Sequence, residues 1–179
     1  MANRWPIKID NPASLLLLAD KIQQFDCRPR DFQLDSSNQK SRAYENNYCQ
    51  MNQYLRDSFV TNDKSAVTYV MYSANNDTII GYYTITMGTS KLSKRFRDSS
   101  KIVGRDGNIG YPCVDVPFLA VDKNFQRDGY GTLLLEHLML NVYWQIIPII
   151  GADLVRLDAL ENVREFYDRH GFIPYSQII

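Results

Sequence analysis

Between residues 114 and 147 the chain passes from a short apolar run without helical period, Val114 to Val121, through Gln126-Arg127-Asp128-Gly129-Tyr130-Gly131, into a long apolar stretch from Tyr130 to Ile147. The first run has the character of a strand buried on both faces, and the second that of a helix. A strand that passes into a helix through two glycines gathers backbone N–H groups and the positive end of a helix dipole at one point. Such a point binds anions. Gly129 and Gly131 let the main chain approach a phosphate without a Cβ in the way, Gln126 and Arg127 offer side-chain contacts, and Thr132 adds a hydroxyl in the first turn. Glycines at a strand-to-helix turn also serve backbone geometry alone, so the pair does not by itself name a ligand. Neither GxxxxGK[ST] nor GxGxxG occurs, which argues against a nucleoside triphosphate or dinucleotide loop. Pro117 removes a donor inside the strand and predicts that the strand bends, or that its neighbour diverges, at that position.

The surrounding pattern supplies an α/β frame. Asn11-Pro12 followed by Leu15, Leu18, Ile22 and Phe25 predicts a helix over 12–25. The polar segment 27–43 reads as a loop, and Tyr48, Met51, Tyr54 (or Leu55) and Phe59 predict a helix over 45–59. Residues 66–73 and 78–87, joined by Asn75-Asn76-Asp77, predict a β-hairpin. A helix over 130–147, a strand over 154–159, a short helix over 162–169 and a last strand over 172–178 complete the order. Asn162 with Glu165 has the form of a capping box, and Gly171 suits a left-handed stop.

Composition narrows the function. A chain of 179 residues, 45% hydrophobic and 22% charged, is expected to form a single domain, 1–179, around one core. Twenty basic and twenty acidic residues cancel, so no strong positive field marks a dedicated nucleic-acid binder. The one concentrated charge is Lys91, Lys94, Arg95, Arg97, Lys101 and Arg105 against Asp98. Cys27, Cys49 and Cys113, without CxxC and with only His137 and His170, indicate neither a disulfide framework nor a metal site and suit a reducing cytoplasm. Cys113 has no sequence relation to either histidine and reads as structural. The short apolar run Leu15 to Ala19 is far too brief to span a bilayer, so no membrane partner is expected.

Leu119-Ala120-Val121-Asp122, then Gln126 to Gly131, and finally Asn162 with Phe166-Tyr167 and Gly171-Phe172 resemble, in order and spacing, the signature of the GNAT N-acetyltransferases. The resemblance implies a three-layer α/β domain, with a central mixed sheet flanked by helices, and acetyl-CoA as acetyl donor. It implies that the backbone of Gln126, Arg127, Asp128, Gly129, Tyr130, Gly131 and Thr132 holds the pyrophosphate. Main-chain groups of Phe118, Leu119, Ala120 and Val121 would pair with the pantetheine arm, Asn162 would contact the cofactor, and Tyr167 would stand beside its sulfur. A phenol with a reference pKa near 10 can supply the proton that the departing thiolate takes, as general acid.

Met51-Asn52-Gln53-Tyr54-Leu55, Gly81-Tyr82-Tyr83-Thr84 and Tyr111-Pro112 are similar to one GNAT branch, which includes toxins of toxin–antitoxin pairs that acetylate the amino acid carried on tRNA. This likeness covers roughly residues 44–179 and leaves 1–43 as a divergent N-terminal helix and polar loop. It implies charged tRNA as acceptor, contacted through Lys91, Lys94, Arg95 and Arg97. It also implies an antitoxin partner and a homodimer. An α-amine with a reference pKa near 8 is partly neutral at pH 7 and needs no strong base. The other readings open at this point are acetylation of a small amine or of a protein N-terminus or lysine, and a non-catalytic acyl-CoA-binding domain.

Overall fold

Five strands form one sheet in the order β1 (Ile7–Lys8), β2 (Val67–Ser73), β3 (Thr78–Ser90), β4 (Tyr111–Val121) and β5 (Leu154–Leu157). The computed structural model describes residues 6–8, 12–61, 65–75, 77–100 and 110–175. β1 to β4 are antiparallel neighbours, and β5 lies parallel to β4, so the sheet is mixed. The expected hairpin is present as β2 and β3, and β3 runs three residues beyond the expected end.

Side chains alternate across the strands, which sorts the core into two layers. Val70, Tyr82 and Ala120 pack with Leu18, Ile22 and Phe25 of the first helical region and with Tyr48 and Leu55. These come from α1 (Pro12–Gln24), the turn after it and α2 (Gln39–Thr61). On the opposite face Met71, Tyr83, Ile85, Val114 and Val116 pack against Leu134, Leu138 and Val142. Those belong to α4 (Tyr130–Asn141) and its continuation, with α3 (Lys94–Ser100) preceding it in the chain. Tyr69 and Tyr83 are cross-strand partners whose rings stack at 4.9 Å, and the Tyr83 hydroxyl lies 2.8 Å from His137 Nδ1. His137 is thereby satisfied inside the fold, and burial lowers its pKa.

Several elements depart from the sequence expectation for local reasons. α2 starts at residue 39, inside the segment expected as loop, because Asn38 Oδ1 accepts the N–H groups of Lys40 and Ser41 and caps it. The basic segment, for which no helix is expected from the sequence, holds α3, where Ser93 Oγ accepts the Phe96 N–H at 3.2 Å. The helix expected over 130–147 continues past α4 as a π-helical turn, Val142–Ile146, and then as α5 (Ile147–Ile150). This run, Tyr130–Ile150, is long and apolar enough to cross a membrane. One face of it is core, while Leu140, Tyr143, Trp144, Ile149 and Ile150 are exposed.

After β5 comes a single 3-10 turn, Glu161–Val163, and then α6 (Arg164–Arg169). The capping box expected at Asn162 is not formed. Val163 occupies the cap, and the Asn162 side chain instead donates to the Tyr48 hydroxyl at 2.9 Å. Gly171 does stop α6, at φ 84°, with the Phe172 N–H returning to the Tyr167 carbonyl at 3.1 Å. Residues 172–175 form no strand, and 176–178 of the expected last strand lie outside the described residues, as do Asn11 and Asn76.

Gly81 sits where β3, β4 and α4 meet. A Cβ there would lie 2.6 Å from the Ala120 carbonyl oxygen and 2.8 Å from Leu134 Cδ1, so backbone as well as side chain would have to move. Gly81→Ala is expected to destabilise the protein by about 1–3 kcal/mol through overpacking, read as a lower urea midpoint with an unchanged m-value.

Candidate active site

β4 pairs with β5 only from Cys113↔Leu154 to Val116↔Leu157, while its pairing with β3 continues to Val121. β4 and its neighbour β5, the last strand of the described sheet, therefore part at Pro117, the residue that has no N–H to give a ladder. The divergence expected from that proline is present. A cavity of about 500 Å³ opens there, bounded by β4 and the start of α4 on one side and by the β5–α6 connection on the other.

Leu119, Ala120, Val121, Gln126, Arg127, Gly129, Gly131, Thr132, Asn162 and Tyr167 all border this cavity. Phe118, Asp128 and Tyr130 do not: the Phe118 ring lies 4.4 Å from Tyr54, and Tyr130 stands edge-on to Phe125. Arg127 and Gly129 both adopt left-handed backbone, φ 70° and 82°, which turns the chain sharply into α4. At Gly131 a Cβ would approach Phe166 to 3.6 Å and Val121 Cγ2 to 3.9 Å. The missing side chain thus keeps open the gap between the two walls, beside a helix start whose N–H groups have no partner within the helix. An extended ligand carrying phosphates fits these features. The Gln126 amide is committed elsewhere, donating to the carbonyls of Cys27 and Val121 at 2.8 and 3.0 Å. Arg127 is paired with Asp31 at 2.7 Å, on the exposed rim.

The segment after α1 bridges both walls. Asp26 Oδ1 accepts from Asn52 Nδ2 at 3.0 Å, Oδ2 accepts from Lys123 Nζ at 3.0 Å, and Arg28 donates to both. The Asp26 N–H is held by Asp122 Oδ2, and the Cys27 N–H by Asn52 Oδ1, each at 3.0 Å. Burial works against the Asp26 charge, but the bonds from Arg28, Lys123 and Asn52 outweigh it and hold the carboxyl well below the ordinary range. Arg30 donates to the carbonyls of Lys123 and Asn124, and Lys40 pairs with Glu161 on the opposite wall. Cys27, Pro29, Tyr48 and Met51 consequently line the cavity. Burial pushes the Cys27 thiol up to about 12 and the Cys113 thiol to about 11, so neither is poised as a nucleophile.

Tyr167 on α6 is 9% exposed, and burial pushes its phenol up to about 12. It borders a second cavity too, of about 820 Å³, whose far walls include Leu92 and Phe96, Arg156 and Phe172. Arg156 is held there by a bidentate pair with Asp115 at 2.7 and 2.6 Å. α3 carries exposed Lys94 and Arg95 beside this opening, with Lys91 exposed just ahead of it. Arg97 is half-buried, 3.4 Å from the Tyr111 hydroxyl, and Lys101 and Arg105 lie outside the described residues.

Residues 64–174 match the model of the acetyltransferase (GNAT) domain. The chain belongs to the GNAT acetyltransferases. It is an N-acetyltransferase that uses acetyl-CoA as donor. No curated protein matches the sequence. Among solved structures, AtaT complexed with acetyl-methionyl-tRNAfMet is 23% identical, with 87% of this chain and 81% of that one covered and a TM-score of 0.62. A bacterial toxin is 20% identical over 96% and 81% of the two chains, with a TM-score of 0.65. A mutant AtaT toxin bound to the C-terminus of the antitoxin AtaR and acetyl-CoA is 22% identical over 87% and 79%, with a TM-score of 0.57. At such identities these likenesses establish the fold.

Sequence reasoning missed Pro29 and read Tyr48 and Met51 only as marking a helix by their spacing, because a residue that packs on one side and lines a cleft on the other has the same helical spacing as a core residue. Asp26→Asn removes the charge that Arg28 and Lys123 share and leaves Arg28 only Glu45, at 3.4 Å; the expected cost at pH 7 is about 1–3 kcal/mol, measured by urea denaturation. Because the folded-state pKa of Asp26 lies below the ordinary 3.8, its stabilisation is complete above about pH 5 and is lost as the pH falls below about 4. The gap between wild type and Asp26→Asn should narrow across that acid range and stay constant between pH 6 and 8.

Proposed function

We propose that this enzyme acetylates the α-amine of an amino acid carried on tRNA, with Tyr167 as the general acid beside the departing sulfur. The observation that carries the reading is the meeting of two cavities at Tyr167. The smaller has the strand edge, the glycine-bearing turn and the helix start that a CoA donor requires, and the larger opens beside the cationic residues of α3. Gly129, Gly131 and Thr132 would hold the pyrophosphate through backbone groups, and Leu119 to Val121 the pantetheine arm. The Asn162 amide, already donating to Tyr48, would border the cofactor from the opposite wall. Lys91, Lys94 and Arg95 would contact phosphates of an acceptor stem without reading its sequence.

The chemistry follows from the burial of Tyr167. With its pKa near 12, the phenol stays protonated through the whole neutral range. A free thiol has a reference pKa near 8.5, so a thiolate alone does not strip this phenol. Tyr167 therefore hydrogen-bonds the sulfur as the C–S bond lengthens, and its proton crosses as the new amide nitrogen gives one up. The AtaT complex with acetyl-methionyl-tRNAfMet supports an aminoacyl acceptor, and the AtaT–AtaR structure supports an antitoxin as protein partner.

Transfer of labelled acetyl from acetyl-CoA to bulk charged tRNA tests the reading. Wild type should label charged tRNA and leave deacylated tRNA unlabelled. Label on free small amines or protein lysines alone would refute the acceptor. Tyr167→Phe should lower kcat by about 10²–10⁴-fold while calorimetry finds acetyl-CoA binding unchanged; an unaltered kcat would remove Tyr167 from its role. Cofactor binding by a wild type that acetylates nothing would point to a binding domain.

A second expectation concerns the basic surface. Lys94→Glu with Arg95→Glu should raise KM for charged tRNA about tenfold and flatten its dependence on salt, with kcat and the KM for acetyl-CoA unchanged. Steady-state kinetics at two ionic strengths provide the check.

A further inference from the structure

Four residues border both cavities: Leu157, Asp158, Ala159 and Tyr167. Only two of these ionise. One is the phenol already placed beside the sulfur, and the other is a carboxylate. Asp158 directly follows Leu157, the last residue of β5 paired with β4, so it stands where β4 and β5 part. It is exposed and belongs to no ion pair among the described residues. The other charged groups on the larger cavity are engaged. Arg156 is bound to Asp115, Arg164 to Asp168 at 3.6 Å, and His170 Nδ1 lies 2.7 Å from the Phe166 carbonyl oxygen. Asp153 and Tyr175 lie farther along the same wall, where the Tyr175 hydroxyl meets Ser90 Oγ at 3.0 Å.

We propose that Asp158 is a catalytic residue of the acceptor side, holding the incoming ammonium at the junction of the two cavities and taking its proton. The proposal rests on the reading of the larger cavity as the acceptor site. An α-amine with a reference pKa near 8 arrives at pH 7 mostly as the cation, which has no lone pair with which to attack. A carboxylate at the junction attracts that cation to the one place from which the thioester can be reached, and it accepts the proton there.

The step balances. The ammonium gives one proton to Asp158, which releases it to solvent. The neutral nitrogen forms a bond to the thioester carbonyl carbon as the C–S bond breaks, and the sulfur takes the Tyr167 proton. The surplus proton on the new amide nitrogen returns to the Tyr167 oxygen. The products are one acetamide, one free thiol and one proton in solution, with Tyr167 and Asp158 restored.

Asp158→Asn and Asp158→Glu test the assignment, assayed from pH 6 to 8.5 with acetyl-CoA and two acceptors, bulk charged tRNA and methionine methyl ester. The expected result for Asp158→Asn is a kcat/KM for the amine about 10²-fold lower at pH 6.5, a loss that shrinks as rising pH neutralises the amine. Asp158→Glu should recover part of the rate, and acetyl-CoA binding by calorimetry should be unchanged in both. An Asp158→Asn enzyme with full rate, or one with the same loss at every pH, overturns the role of Asp158 and leaves the transferase reading intact. A wild type that binds acetyl-CoA yet acetylates neither acceptor overturns both.

Discussion

The Asp26 carboxylate accepts hydrogen bonds from Arg28, from Asn52 on α2 and from Lys123 beyond β4, while the Asp26 amide is itself held by Asp122. Those partners come from three stretches of chain, and the smaller cavity lies among them. A strand divergence alone makes a slot open to water on its far side. The Asp26 node draws residues 26–30 across that slot, so that Cys27, Pro29, Tyr48 and Met51 become its third wall. A buried carboxylate is costly unless it is paired. Here three donors satisfy it, and together they set the spacing between α2 and the turn that leads into α4.

The central unit was readable from sequence because each of its parts answers to a local rule. Pro117 cannot donate to a ladder, Gly129 supports positive φ, and the apolar runs on either side have the lengths and periods of a buried strand and a core helix. The hairpin of β2 and β3 was equally plain, from its β-branched and aromatic content and its turn residues. What escaped was decided by side chains that meet across long separations. The start of α2 depended on Asn38 as a cap inside a polar stretch that also has the composition of a loop. α3 is seven residues long, too short for periodicity to declare it. Asn162 looked like a cap from its spacing to Glu165, but Tyr48, more than a hundred residues away, claims its amide. The two-residue β1 carried no pattern at all and exists through pairing with Val70 and Tyr69.

Of the candidate site, the main-chain features followed the sequence more closely than the side chains did. The glycine-bearing turn borders the cleft as its spacing suggested, yet the Gln126 side chain serves the fold, tying the turn to Cys27. Tyr167 stands between two cavities, a position no motif reports because the larger one is built from β5, α6 and the segment around α3. Burial strengthens the grip of this phenol on its proton, so it does not titrate with the medium across the neutral range.

The cleft is assembled from residues that are far apart along the chain: Asp26 pairs with Lys123 across 97 positions, and Asn162 with Tyr48 across 114. Contacts of such range form late, because the intervening loop must first lose its freedom. A ribosome making this chain therefore cannot complete the cleft until the turn before α6 has emerged and met α2. On the aminoacyl-tRNA reading proposed above, the activity would be withheld by topology from the ribosome that is producing it.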